Sequence, residues 1–207
     1  MSQLRNILLT TQGNNIPYQV LPYCFFNLAA VLTDIKSSTT WTNVEFCFSR
    51  NNSSTPVILG ARTSSSSSDR FHLQLTTSGA SVRTILDSHT QVDISNVVST
   101  YMTWACNGYT VSITQSGTTT TKTITSGDGY PNGNYPIAIG GLNNGGTVAS
   151  GKLYGYFKYL KIWDTNTLTY QFIPVKDNNN VICLYEIFND KLYYPVSGTT
   201  LLEEENI

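Results

Sequence analysis

The feature that most limits what this chain can fold into is a two-residue rhythm of apolar and polar side chains, repeated in short runs between turn residues. Val44, Phe46 and Phe48 alternate with Glu45, Cys47 and Ser49, and Phe71, Leu73 and Leu75 alternate with His72, Gln74 and Thr76. Successive side chains of a strand point to opposite faces, so each run reads as a half-buried strand. Further strands are expected at Pro56 to Ala61, Ala80 to Leu86, Tyr101 to Cys106, Tyr109 to Gln115, Thr118 to Thr125, Tyr135 to Gly140, Tyr154 to Trp163, Leu168 to Val175 and Val181 to Tyr185. Helical patterning over several turns does not occur. Asn107-Gly108 and Ser116-Gly117 are hairpin signals, because Gly and Asn tolerate the positive φ of primed turns, and Asp164 to Thr167 makes another tight connection. Ten or more strands on short turns without a βαβ rhythm describe an all-β, antiparallel two-sheet sandwich or jelly roll.

With 207 residues, one large β domain is the simplest division, long enough to bury a substantial core. Only 12% of the residues are charged and the net charge is -1, so the surface draws its polarity from hydroxyls and amides. The 12 Lys and Arg are scattered, which argues against nucleic acid as a partner, since affinity for a phosphate backbone comes from clustered cations. Leu21 to Ile35 is the longest apolar region, yet Pro22 and Asn27 interrupt it and it falls short of the roughly 20 residues that cross a bilayer. Membrane insertion is not expected, and the start of the chain, with only Ile7, Leu8 and Leu9 as an apolar run, does not read as a signal peptide. Cys24, Cys47, Cys106 and Cys183 are far apart with no CxxC pair, so they read as buried thiols, with one or two disulfides as the alternative.

The sequence is poor in catalytic patterns. A glycosidase needs two carboxyl groups about 5 to 9.5 Å apart, yet no expected strand carries two acids at i, i+2 spacing, and Asp87, Asp93, Asp128, Asp164, Asp177 and Asp190 stand at strand ends or turns. His72 and His89 are the only histidines, which leaves little for a hydrolytic triad or a His-rich metal site. His72 points away from the side taken by Phe71 and Leu73 and reads as a polar sheet-face residue. No Gly-x-Ser-x-Gly occurs, and Gly140 to Gly146 lacks the Lys and helix of a phosphate cradle. No catalytic residue, metal ligand or cofactor is therefore expected.

Binding chemistry is what remains. The segment Ser126 to Pro136 sets Tyr130 and Tyr135 among Asp128, Asn132, Asn134 and three glycines. Tyrosine offers a flat amphipathic surface at low entropic cost, and asparagine offers both a donor and an acceptor to a hydroxyl-rich ligand. Tyr130, Asn132, Asn134 and Tyr135 are thus candidate ligand contacts, with Trp41 as a further aromatic candidate. The alternatives are a loop closed by its own tyrosines, and a Trp41 that lids the core. Ser64 to Ser68 reads as a solvated loop.

Toward the end of the chain, Lys161-Ile162-Trp163 is followed by Phe172-Ile173-Pro174-Val175, then Asn178 to Asn180, Cys183, Tyr185, and Lys191-Leu192-Tyr193. This succession, with Ile58 to Arg62, Phe71 to Leu75 and Ile137 to Gly141 upstream, resembles concanavalin A-like, laminin-G-like lectin sandwich domains, of a type common in gut bacterial and bacteriophage structural proteins. The resemblance implies a sandwich over residues 31–200, with residues 1–30 as an N-terminal arm or assembly segment and 201–207 as an acidic tail. It specifies fold, not activity. Neither the family's glycosidase acids nor its calcium ligands match here. The expectation is a noncatalytic bacteriophage virion structural protein (capsid decoration, fibre or tail), located in the virion, whose domain adheres to host or mucus glycans. Its partners would be other virion or assembly proteins, a glycan and further copies of itself. A carbohydrate-binding module or glycan-active enzyme of a gut bacterium, at the cell surface or outside it, is the alternative, as is a purely architectural protein.

Overall fold

The computed structural model describes residues 16–49, 56–64, 68–76, 81–87, 90–95, 101–124, 129–148 and 152–204. Every element among them is a strand. In chain order these are β1 (Gln19–Val20), β2 (Cys24–Ala29), β3 (Val31–Leu32), β4 (Trp41–Phe48), β5 (Val57–Arg62), β6 (Phe71–Leu75), β7 (Ser81–Leu86), β8 (Thr90–Ser95), β9 (Met102–Asn107), β10 (Thr110–Gln115), β11 (Thr118–Thr123), β12 (Ala138–Ile139), β13 (Asn143–Asn144), β14 (Thr147–Val148), β15 (Leu153–Asp164), β16 (Thr167–Lys176), β17 (Ile182–Glu186), β18 (Lys191–Tyr193) and β19 (Leu201–Leu202).

They form two sheets. The first runs β11-β10-β9-β4-β15-β16-β17-β18, with β2 beside the first half of β15, β19 on β2 and β1 on β16. The second runs β14-β13-β5-β6-β7-β8, with β12 bridging β5 and β3. Neighbours are antiparallel apart from the short β13/β5 pair. The inward faces of the two sheets share one core, to which β4 gives Val44, Phe46 and Phe48, β6 gives Phe71, Leu73 and Leu75, and β15 gives Phe157, Leu160 and Ile162. Trp104 on β9 spans the layers, its indole Nε1 donating to Thr84 Oγ1 of β7 at 2.8 Å. The chain is therefore an all-β two-sheet sandwich, as its alternation requires.

The turns follow from the same chemistry. Ser116 and Gly117 both take positive φ, and Gln115 pairs with Thr118 across them, so this hairpin closes with two residues. Thr165 and Asn166 do the same between Asp164 and Thr167. The first hairpin is shifted one residue from expectation: Asn107 pairs with Thr110, which leaves Gly108 and Tyr109 as the loop. Pro174 lies where β16 has passed its last pair with β15, Leu160 to Phe172, and takes up β1 through Val20 to Val175. Its missing N–H falls at that change of partner.

The expected arm boundary at residue 31 does not hold. Cys24, Phe26 and Ala29 of β2 belong to the main core, so the sandwich takes in this strand. Ahead of β2, β1 joins the first sheet through β16, while Ile16 and Tyr18 pack away from the main core, with Ile173, Val175, Cys183 and Tyr185 in a small second cluster on the outer side of the first sheet. At the other end Leu201 is core, and β19 pairs with β2. All four cysteines are buried and unpaired as disulfides.

Acids hold turns, as their positions predict. Glu186 is fully buried and accepts from Gln171 N, Phe188 N, Asn189 N and Asn189 Nδ2 at 2.6 to 3.2 Å. Asp177 accepts from Asn179 N, Val181 N and Tyr194 Oη, each at 2.8 Å.

Candidate functional site

The described part of the Tyr/Asn loop, Gly129 to Pro136, is bound down onto the sandwich. Tyr130 is only 2% exposed. Its hydroxyl donates to the carbonyl of Cys106, and its ring meets Trp41 and Phe71 edge-on at centroid separations of 5.8 and 5.6 Å. Trp41, 5% exposed, stands perpendicular to Phe71. Tyr130 and Trp41 are therefore core residues that present no surface to a ligand, which corrects their candidacy as contacts. Burial of the phenol raises the Tyr130 pKa further above the ordinary tyrosine value, so the hydroxyl stays a neutral donor.

Asn132 and Asn134 are exposed, and Tyr135 is half-buried against the core. Their polar groups are nonetheless engaged. Asn132 Oδ1 accepts from Thr39 N at 3.2 Å, Asn134 N donates to Asp69 Oδ2 at 3.3 Å, and Asn134 Nδ2 donates to Thr63 Oγ1 at 3.3 Å. Asp128 and His89 lie outside the described residues. Replacing Tyr130 by Phe removes one buried hydrogen bond and leaves Cys106 O without it. The expected cost is about 1–2 kcal/mol in urea denaturation.

A different surface gathers aromatic rings. β15 alternates through Tyr154, Tyr156 and Lys158 on the outer side of the first sheet, opposite Gly155 and Phe157. A bulge between Phe157 and Tyr159 then sets Lys158 and Tyr159 outward in succession. Strand order brings β2 to one flank of Tyr156 and β4, then β9, to the other. Tyr156 meets Tyr23 at 5.1 Å, Phe25 at 5.0 Å and Tyr101 at 6.1 Å. Tyr23 and Tyr101 are 6.3 Å apart, and Lys158 Nζ sits 4.5 Å from the Tyr101 ring centroid, a cation–π contact. Tyr23, Tyr101, Tyr154, Tyr156 and Lys158 are half-buried over a buried Phe25. The patch continues along β15, where Lys161 Nζ lies 4.9 Å from the Tyr159 ring and Tyr159 hydrogen-bonds to Glu45 and Thr103. Burial, the largest influence, together with the Glu45 carboxylate, keeps the Tyr159 phenol neutral.

Tyr23 also walls a cleft of about 480 Å³ with Leu21, Pro22, Leu202, Glu203 and Glu204. Glu203 is held by Lys176 at 2.7 Å. Rings and carboxylates thus adjoin on one surface, an arrangement that can lie against the C–H face of a sugar and hydrogen-bond its hydroxyls.

Sequence reading missed this patch because its members come from distant segments. Tyr23 falls in the expected arm, Tyr101 at a strand start, and Tyr154 and Tyr156 in the stretch read as scaffold. The signal available in the chain was the outward phase of Tyr154, Tyr156 and Lys158 on one strand.

His72 takes the outer side of the second sheet, as its phase predicts, but is 2% exposed rather than solvated. Both ring nitrogens lack a hydrogen-bond partner.

No protein-family profile and no curated protein matches the chain. Solved structures do. A candidate carbohydrate-binding protein from Bacteroides ovatus superposes with a TM-score of 0.59 at 10% identity over 89% of this chain, which spans 60% of that protein. CBM40 of the Ruminococcus gnavus IT-sialidase gives 0.48 at 14% identity over 63% of this chain and 79% of its own. Domains LG4-5 of the mouse laminin alpha1 chain give 0.48 at 15% over 75% of this chain and 44% of theirs. At these identities the likeness bears on fold. The two sheets, their order and the superposition on the Bacteroides ovatus protein together show an antiparallel two-sheet β-sandwich of jelly-roll type.

Proposed function

We propose that the protein is a noncatalytic glycan-binding module and that the tyrosine patch on the outer side of the first sheet is its binding surface. The observation that carries the reading is the cluster of Tyr23, Tyr101 and Tyr156 with Lys158, half-exposed beside a cleft edged by Glu203 and Glu204. A pyranose ring has apolar C–H faces and a polar rim of hydroxyls. Tyrosine rings cover the first, while lysine and carboxylate groups pair with the second. The placing of the acids supports binding without catalysis: Glu186 and Asp177 tie turns, Asp93 is held bidentately by Arg83, and Asp34 is held by Lys191 and Tyr193.

Tyr156→Ala is the direct test. On a glycan array followed by calorimetry, the variant is expected to lose tenfold or more in affinity, about 1.4 kcal/mol, for whichever neutral glycan the parent binds. Its fold should persist with a stability loss of roughly 1–2 kcal/mol, as befits a half-buried ring. Undiminished affinity would move the site elsewhere, and absence of glycan binding by the parent would leave an architectural protein. Release of reducing sugar from polysaccharides would overturn the noncatalytic reading.

The virion placement is part of the same proposal. A neutral, hydroxyl-rich surface with an adhesive face suits a bacteriophage attachment or decoration protein, and mass spectrometry of purified particles tests it. A carbohydrate-binding module of a gut bacterium would use the same surface.

A further inference from the structure

We propose that the outer face of the second sheet is a separate anion subsite, taking a carboxylate or sulfate ester group against Arg62, Arg70 and His72. It lies on the other sheet from the tyrosine patch and does not depend on the reading of that patch.

The strand register assembles the face. Gly60 pairs with His72 and His72 with Ile85, while Ala61 pairs with Phe71 and Gln74 with Arg83. Phe71 and Leu73 turn inward, so Arg70, His72 and Gln74 turn outward, with Arg62 beside Arg70 and Arg83 one row further on. Three of the five arginines in the chain stand here, which is notable in a protein with so few charges. Arginine is the side chain suited to a planar, bidentate oxyanion contact.

The arginines are held by different kinds of partner. Asp93 holds Arg83 in a fork at 2.8 and 2.9 Å, and so neutralises it. Arg62 Nε instead donates to an uncharged partner, Asn144 Oδ1, at 3.0 Å. Asp87 is the acid that acts on Arg70, against the repulsion of Arg62 and Arg83. Arg70, Arg62 and Arg83 all act on the histidine as positive charges.

His72 supplies the second observation. A neutral imidazole has one N–H donor and one acceptor, and leaving such groups buried without partners is unfavourable. Both nitrogens of His72 are in that condition at 2% exposure. Burial, then Arg70, Arg62 and Arg83, pushes its pKa down to about 3, so it would meet an anion as a neutral donor beside cationic neighbours. Gly60 makes the depth possible: a Cβ there would overlap the His72 side chain and come within 2.7 Å of its Cα. A bound oxyanion would accept from the ring N–H and balance the arginines together.

The test uses three sugars that differ at one position: methyl glucuronide, methyl glucoside 6-sulfate and uncharged methyl glucoside. Titrations followed through the Arg62 Nε–Hε and β6 amide NMR signals should saturate with at least one of the two anions and not with methyl glucoside. The relative affinities of the two anions show whether carboxylate or sulfate is preferred. Arg62→Gln should weaken that anion tenfold or more. His72→Leu should also weaken it while the protein melts no lower than the parent at pH 7, a combination a purely structural histidine would not give. Tyr156→Ala should leave anion binding unchanged, which separates failure here from failure of the tyrosine patch. Absence of saturable shifts with both anions, equal shifts with methyl glucoside, or unchanged affinity in Arg62→Gln would overturn the proposal.

Discussion

Gly60→Ala is expected to destabilise the sandwich by roughly 3–6 kcal/mol, a large share of a typical domain's margin. Two effects combine. Gly60 has φ of +151°, a region that residues with a Cβ avoid. The added methyl would also overlap His72 Cβ and the Phe71 carbonyl, atoms of the central strand β6, where the obstacle is backbone and cannot swing aside. β6 is hydrogen-bonded to β5 on one side and β7 on the other, so the strain could be relieved only by parting a ladder at the middle of the second sheet. Urea unfolding of the purified variant measures this directly. A loss under 1 kcal/mol would mean that β5 and β6 separate far more easily than their pairing implies.

Acid should act through the same place. The folded-state pKa of His72 is pushed down to about 3, first by burial and then by Arg70, Arg62 and Arg83, against about 6.5 in an unfolded chain. The unfolded state therefore takes up a proton that the folded state refuses. The stability that neutral His72 contributes is complete above pH 6.5 and is lost progressively as pH falls from 6.5 toward 3, amounting to about 3 kcal/mol by pH 4. His72→Leu cannot bind that proton. Urea midpoints of the two proteins should run close together at pH 7 and separate below pH 6, with the parent falling faster. Parallel curves down to pH 4 would show that His72 finds solvent or a carboxylate on protonation.

The sheet skeleton was legible where a strand has one buried and one open face. β6, β9, β10, β15 and β16 were all expected within two residues of their observed ends, and β4 was expected over all but its first three residues, because alternation across a half-buried sheet leaves a period of two in the sequence. β2 was missed for the opposite reason. Cys24, Phe25 and Phe26 are buried in succession, since Tyr154 and Tyr156 cover Phe25 from the outer side, and a strand covered on both faces does not alternate. β8 escaped notice because Thr90 to Ser95 is a short edge strand carrying Gln91 and Asp93 on its outer phase.

The candidate site was less legible. Tyr130 among glycines and asparagines has the composition of an exposed binding loop, yet the ring belongs to the core and its hydroxyl closes on Cys106. Nothing within the loop says which carbonyl lies in reach of that hydroxyl. Tyr23, Tyr101 and Tyr156 pose the converse case: ordinary residues along the chain, they form one surface because β2, β15, β4 and β9 are neighbours in the first sheet.

The chain alone therefore determined the fold class, the turns and the inward or outward phase of most strands, since each of these rests on residues near in sequence and on the period of the strand. Only the tertiary structure decided which outward residues meet. Strand order joins segments as remote as Tyr23 and Tyr156, and burial depends on what the opposite sheet and the chain ends lay over each position. That is why Tyr130 left the list of candidate contacts, why three tyrosines entered it, and why His72, polar by phase, is enclosed among arginines.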